Sequence, residues 1–349
     1  MSVERIIESI SGKRIATYER CFETTDISEC LGMYIWNKRV CAELLPVLQI
    51  LEVSLRNGLC SGYESLFRER LKQQGKNAAE IDAAFDPMWL KNFYDSATDN
   101  QYKDTKVAIV SAANKLEKRG IELTADNLIP ELTFGVWSHL CQSHDINADQ
   151  SLRLWPDLLY HAFPGRKMKH PQLINILRNV NRLRNRIAHH EPVWYSKSLY
   201  GTPAYLNKVI NFYNECLILI EAINPSNLKA ITLVNSHASL TALCSIQCVA
   251  EYKNLAAGVH EIPQLNIKNW HTHAQFSECI RGAISSIQGD LVSIKAVDGN
   301  YAGQFFIDKR DKAILVGLAQ LKVGELVTFI PTRFDDSFIA TKVHYNLPT

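Results

Sequence analysis

The chain has 349 residues, 46% hydrophobic and 21% charged, with a net charge of +2 at pH 7. This is the composition of an ordinary soluble globular protein long enough for two domains, and no apolar run reaches the length of a membrane span, which argues against a membrane-embedded protein. Because the total charge is nearly balanced, any preference for an anionic partner must come from a local patch.

Residues 1–24 are mixed and polar with a weak helical period. From Ile27 to Gly62 the pattern becomes strongly helical, through Leu44, Leu45, Leu48, Leu51, Leu55 and Leu59, which predicts a core helix with a break near Asn37. Glu52 and Arg56 are four residues apart on it and read as a structural ion pair. Residues 63–130 read as peripheral helices interrupted at Gly75 and Asp86-Pro87, with a helix over Lys103 to Lys118 and Asp126 capping the next one. Leu128 to Cys141 reads as one apolar helix, with Gly135 allowing close helix approach and His139 as a core residue. Ser151 to His161 is a further helix, and Phe163-Pro164-Gly165 a turn.

Asn175 to Trp194, NILRNVNRLRNRIAHHEPVW, is both the most regular and the most charged stretch. Ile176, Leu177, Val180, Leu183 and Ile187 form one helical stripe, and Pro192 marks the expected end. At about 100° per residue, Arg178, Arg182, Asn185, Arg186 and His189 fall opposite the stripe, with Arg184 on its flank. From Leu158 to His190 there is no Asp or Glu, so this run of arginines is one-sided. Such a face calls for an anionic partner or a buried dimer contact, the alternative being a solvated helix face.

Arg184-Asn185-Arg186-Ile187-Ala188-His189 fits the Arg-Asn, spacer, His signature of the HEPN ribonuclease superfamily, and RNRIAHHEP resembles the form found in bacterial Abi (abortive infection) proteins. Tyr34-Ile35-Trp36-Asn37, Leu51-Glu52-Val53-Ser54-Leu55-Arg56-Asn57 and Leu132-Thr133-Phe134-Gly135-Val136-Trp137 resemble that family's other blocks, in the same order. The resemblance spans roughly residues 5–230. It implies an all-α bundle, a homodimer in which two such helices face each other, and a metal-independent endoribonuclease acting as a phage-defence toxin. It also implies an inhibitory partner, RNA or protein, that keeps the toxin silent.

After Pro192 comes a polar loop with Gly201 and Pro203, then an amphipathic helix from Tyr205 to Ile223 stopped by Asn224-Pro225. Residues 226–257 hold one or two more helices, and 258–276 read as a connection. Runs of period two then appear at Gly282 to Gln288, Leu291 to Val297, Gln304 to Asp308, Glu325 to Ile330 and Phe338 to His344. Their order resembles a cold-shock-type OB barrel, a fold that binds single strands on aromatic side chains over a basic groove. The second strand has Leu291, Val292 and Ser293 where cold-shock domains place aromatics, which leaves Phe305 and Phe306 on the third, and since neighbours on a strand face opposite ways, one of them belongs to the core.

The expected fold class is therefore α+β multidomain: an all-α HEPN-type bundle over 1–230, a helical extension and linker over 231–276, and a five-stranded OB-like β-barrel over 277–349. The candidate catalytic residues are Arg184, Asn185 and His189. The candidate RNA-binding residues are Arg178, Arg182, Arg186, His190, Phe305 and Phe306.

Nine cysteines, none in a CxxC pair, and no secretory leader lead to the expectation of reduced thiols in a cytoplasmic protein. Cys244 and Cys248 with His271-x-His273 downstream allow a zinc site to be imagined, but buried thiols are preferred, and no metal or cofactor is expected. Three functions remain open: the endoribonuclease, a non-catalytic RNA-binding or RNA-sequestered defence protein, and a helical interaction protein whose arginine face is a dimer seam. Gly-rich phosphate loops, HExxH and Gly-x-Ser-x-Gly are missing from the sequence, which sets aside nucleotide hydrolases, zinc proteases and serine hydrolases.

Overall fold

The computed structural model describes residues 3–96, 102–142, 153–234, 236–261, 280–289, 291–297, 304–308, 322–334 and 337–345. Within them the protein is mostly helical with a small, mainly antiparallel sheet at its C-terminal end, an α+β architecture. No helix among the described residues is long and apolar enough to cross a membrane.

The helices are α1 (Val3–Ile10), α2 (Gly12–Phe22), α3 (Ile27–Gln73), α4 (Ala78–Ala84), α5 (Trp89–Asp95), α6 (Lys103–Lys118) and α7 (Ala125–Glu131). They continue with α8 (Phe134–Gln142), α9 (Asp157–Ala162), α10 (His170–Ala188), α11 (Thr202–Ile223), α12 (Leu228–Val234), α13 (Ser236–Leu243) and α14 (Ile246–Ala257). Two compact units result. One comprises Met1–Glu43, Trp194–Lys208 and Asn235–Thr349, the other Leu44–Val193 and Val209–Val234.

The helix α3 runs unbroken for 47 residues through Asn37, where the sequence predicts a break, and through Pro46, and ends eleven residues beyond Gly62. Asn37 is fully buried and its amide donates to Cys41 Sγ one turn on (3.8 Å), so its side chain is satisfied from within the helix and does not compete for the backbone. Gly58 and Gly62 continue the helix because neighbouring chain packs directly on them. A Cβ on Gly62 would lie 2.8 Å from Ala162 Cα, and one on Gly58 2.8 Å from Ile223 Cγ2. The close approach expected at Gly135 is thus found at these two glycines instead, since a Cβ on Gly135 would meet only Thr133 Oγ1, at 3.6 Å.

The apolar segment from Leu128 to Cys141 is two helices. Thr124, not Asp126, caps α7 by accepting from the Asn127 N–H (3.3 Å), and the chain then turns extended at Leu132 before α8 starts. His139 is solvent-exposed and bonds Thr105 Oγ1 at 2.9 Å, which corrects its reading as a core residue. Helix α9 begins at Asp157, and the earlier part of the helix expected from Ser151 falls partly outside the described residues. Among the described residues Glu52 and Arg56 form no ion pair, and the Arg56 Nε is buried without a partner.

In the first unit, Trp194 is fully buried amid Tyr18, Phe22 and Tyr205, with ring centroids 5.4, 5.0 and 4.7 Å away. Trp36 Nε1 donates to Leu243 O at 2.9 Å, and Lys253 pairs with Glu29 at 2.9 Å. Burial pushes the Cys244 and Cys248 thiols up to about 12, which makes them poor sources of the thiolate a metal requires. His271 and His273 lie outside the described residues, and among those described no group of three or more His, Cys, Asp or Glu is placed to hold a metal ion.

The strands are β1 (Ile280–Gln288), β2 (Leu291–Ala296), β3 (Gln304–Asp308), β4 (Leu326–Phe334) and β5 (Ser337–Tyr345), the last two longer than the sequence predicts. The ladders follow the order β1-β2-β3-β5-β4 and return from β4 to β1, with β3 and β5 parallel and the other pairs antiparallel. Ile280, Ile284, Val292, Ile294, Phe305, Ile307, Val327, Phe329 and Ala340 fill the interior. The alternation of period two is what puts them all on one face.

Candidate functional site

Helix α10 opens on Lys169, whose extended backbone precedes Pro171 in the first turn, a residue whose fixed φ suits a helix start. His170 holds this end: its Nε2 bonds Cys141 O at 2.8 Å and its ring stacks on Trp155 at 4.5 Å. The stripe of Leu173, Ile174, Ile176, Leu177, Val180 and Leu183 is buried, much of it against α8, while Ile187 is half-buried where the helix emerges. Burying these side chains, at ~1.5–3 kcal/mol each, fixes which face of the helix meets water.

On that outer face Arg178, Arg182, Asn185 and His189 are all exposed, as their spacing predicts. Their neighbours divide the arginines into two groups. Arg178 Nε donates to Gln142 Oε1 at 2.9 Å, and Arg186 Nη1 donates to Pro192 O at 2.8 Å. Arg166, part of the same basic run, is paired with Glu221 of α11 at 2.6 Å. Among the described residues Arg182 and Arg184 have no hydrogen-bond or ion-pair partner, Arg182 being exposed and Arg184 half-buried on the flank. Two of the expected phosphate-binding residues, Arg178 and Arg186, are therefore partly committed to shaping the protein.

One carboxylate faces the helix from α11. Glu215 accepts from Asn179 Nδ2 at 2.8 Å, and burial raises its carboxyl above the usual range, the Asn179 hydrogen bond opposing the rise.

The helix does not run on to Pro192; it stops at Ala188 in a tight turn. His189 is the cap, with φ −91° and ψ 7°, and its N–H bonds Asn185 O at 2.9 Å. His190 takes a left-handed conformation, φ 58°, and its N–H bonds Ile187 O at 3.1 Å, while the Glu191 N–H reaches back to Arg186 O at 2.8 Å. This pair of bonds is the Schellman closure of a helix C-terminus. The sequence signal for it was weak, because glycine usually occupies the left-handed position and here a histidine does. His190 therefore points into solvent, where a continued helix would have carried it toward the apolar stripe.

The two phenylalanines of β3 separate. Phe305 is buried, its ring 4.8 Å from that of Phe329, so it is a core residue and its candidacy for stacking a base is corrected. Phe306 is half-buried on the other face, opposite Ser293 of β2 and in register with Ile339 of β5. Around it Arg281, Leu291, Lys295 and Gln304 are exposed.

A family model described as Abi-like protein matches residues 6–195, more than half of the chain and all of α10 with its closing turn. Neither the curated proteins nor the solved structures include a match to this sequence. The chain belongs to the Abi-like protein family.

Proposed function

We propose that the protein is a metal-independent endoribonuclease of the HEPN type, acting through Arg184, Asn185 and His189. Membership of the Abi-like family suggests abortive-infection defence against phage, and a ribonuclease toxin fits that role. The observation that carries the reading is the conjunction at the end of α10 of two uncommitted guanidiniums, Arg182 and Arg184, with an exposed imidazole at His189, in a run of sequence without a carboxylate.

RNA brings its own nucleophile, the 2′-hydroxyl. The protein needs only a group that moves a proton near neutral pH, which an imidazole does, and a fork of donors for the charge that develops on phosphorus, which a guanidinium supplies. Arg182, with Arg178 and Arg186 behind it, neutralises flanking phosphates. On one helix Arg184 and His189 diverge by about 140°, so a second copy of α10 from a homodimer completes the site. The C-terminal strands form an OB-like barrel that holds single-stranded RNA with Phe306 as its stacking ring.

The same divergence favours a second reading, a protein that grips RNA without cutting it. The deciding experiment is incubation of the purified protein with labelled single-stranded RNA in excess EDTA, beside His189→Ala. Cleavage by the native protein alone, ending in a 2′,3′-cyclic phosphate, is expected; RNA that is bound but intact would overturn the nuclease.

A further inference from the structure

We infer that the connection between α9 and α10 is a second RNA contact, which grips the strand about 30 Å from the candidate cut site and so makes the substrate a long single-stranded RNA. Lys167 and Lys169 take its phosphates, and Tyr160 stacks one of its bases. The distance is counted from His189, so this contact rests on the nuclease reading above.

The connection is anchored at both ends and free in the middle. At one end the Gly165 N–H bonds Ala222 O at 2.8 Å, a Cβ there would strike Glu221 O, and Arg166 pairs with Glu221 at 2.6 Å. At the other, His170 is held by Cys141 O and by the Trp155 ring. Lys167 and Lys169, between these anchors, are exposed, and among the described residues neither ammonium has a hydrogen-bond or ion-pair partner. Carboxylates of the neighbouring elements are engaged elsewhere: Asp157 with Arg70 (2.9 Å), Glu69 with His161 (3.2 Å) and Glu221 with Arg166. Two like charges on a fixed stretch of backbone, with no counter-ion, are a preorganised patch for an anion.

Tyr160 indicates which anion. It stands on α9, the helix that leads into the connection, and is 74% exposed while Leu158, Leu159 and Ala162 beside it are buried, so the core of this region closes without it. A ring in water close in sequence to two free ammoniums suits a strand whose bases stack and whose phosphates carry the charge; an acidic peptide matches only the ammoniums. The contact also continues the candidate site. Asn175, Arg178, Arg182 and Asn185 keep the outer face of α10 exposed from Pro171 to His189. Lys169 and His189 are the two caps of α10, about 30 Å apart at a rise of ~1.5 Å per residue. A strand spans that distance with about nine nucleotides at the stacked spacing of ~3.4 Å, and with fewer when extended.

Binding is read first, by fluorescence anisotropy over a salt series, with a single-stranded RNA of about 20 nucleotides methylated at every 2′-oxygen. This RNA lacks the nucleophile and stays whole. The double variant Lys167→Gln/Lys169→Gln should lower the slope of log Kd against log salt by about 1.4, two phosphates at about 0.7 each. Tyr160→Ala should weaken binding about 5-fold or more with the slope intact. A control, Lys103→Gln/Lys118→Gln on the exposed surface of α6, should keep the native slope. A native slope in the Lys167/Lys169 variant, an equal loss in the control, or native affinity in Tyr160→Ala would each overturn the inference. Cleavage is read second, with unmodified RNA. The Lys167/Lys169 variant should raise KM about 10-fold on the long RNA, whereas on a trinucleotide, too short to reach Lys169 from His189, it should cut like the native protein. Equal losses at both lengths would overturn the contact. A native protein that binds the methylated RNA with the expected slopes but cuts no RNA would overturn the nuclease reading and leave the grip on RNA standing.

Discussion

The outer face of α10 and the outer face of β1, β2 and β3 are both candidates to meet RNA, and they are built in opposite ways. The helix carries Arg178, Arg182, Arg184 and Arg186 along a span of nine residues, whereas the strands present one half-buried ring, Phe306, among Arg281, Leu291, Lys295 and Gln304. The first attracts any polyanion through charge; the second has little charge and depends on a single stacking surface. A salt series therefore separates the two, since the helical contribution fades with ionic strength and stacking largely does not.

The largest effect that sharpens this contrast is structural. Phe305→Ala empties the strand core beside Phe329 and should cost ~3–5 kcal/mol in denaturant unfolding of the C-terminal strands. A loss of RNA affinity in the still-folded protein, with stability unchanged, would show that the two phenylalanines had exchanged roles. Next comes Arg184. Arg184→Ala should slow single-turnover cleavage by a factor worth ~2.7–4 kcal/mol, and Arg184→Lys should recover little of it, because a point charge does not reproduce a planar fork. Full recovery by lysine would reduce Arg184 to an electrostatic contact. Phe306→Ala should then weaken RNA binding by ~1–3 kcal/mol with its salt slope intact. If nothing is lost there, the C-terminal strands meet a protein.

Smaller still is the difference between two neighbouring arginines. Arg182→Ala should reduce the salt slope of binding by about one, and Arg178→Ala by less, since its Nε is already occupied by Gln142. Equal slopes for the two variants would mean that the Gln142 bond yields to phosphate. The smallest prediction is thermodynamic. Burial raises the Glu215 carboxyl, so its ionised form works against the fold at neutral pH, and this penalty disappears as the pH falls through the raised value to the ordinary one. Glu215→Gln keeps an acceptor for Asn179 and should stabilise the fold at pH 7, by less than ~1 kcal/mol once solvent screening of a half-exposed group is counted, and have no effect in acid. A variant that melts lower at pH 7 would give the charge a stabilising role.

Most of the helical pattern was legible in the sequence, because buried stripes repeat at 3.6 residues and the stripe of α10 appears in the structure as expected. What escaped were features that hydrophobic periodicity does not record, some of them local. Asn37 resembles a helix breaker until its amide is seen to bond Cys41, and Leu128 to Cys141 resembles a single helix until Leu132 turns extended. The candidate site shows the same limit. Its exposed face follows from the spacing, but the commitment of Arg178 to Gln142 and of Arg166 to Glu221 needs partners 36 and 55 residues away. The left-handed His190 was hidden because no glycine announced the turn. The strands were found from alternation, and which of Phe305 and Phe306 lies inside was left to the register of β2 and β3.

The glycines packed against neighbouring chain have a consequence for genetics. If the protein is a toxin, selection for surviving cells will gather whatever inactivates it, and Gly62, Gly58 and Gly165 offer large targets far from the chemistry. A Cβ on Gly62 would sit 2.8 Å from the Ala162 backbone, and one on Gly165 would collide with the Glu221 carbonyl, neither of which is a flexible side-chain end that can swing aside. Survivors carrying Ser, Asp or Val at these positions should yield little intact protein on immunoblots, whereas survivors altered at Arg184 or His189 should accumulate it at normal levels. Antibody signal per cell thus sorts an unbiased collection of escape mutants into those that lost the fold and those that lost the reaction, before any enzyme is purified.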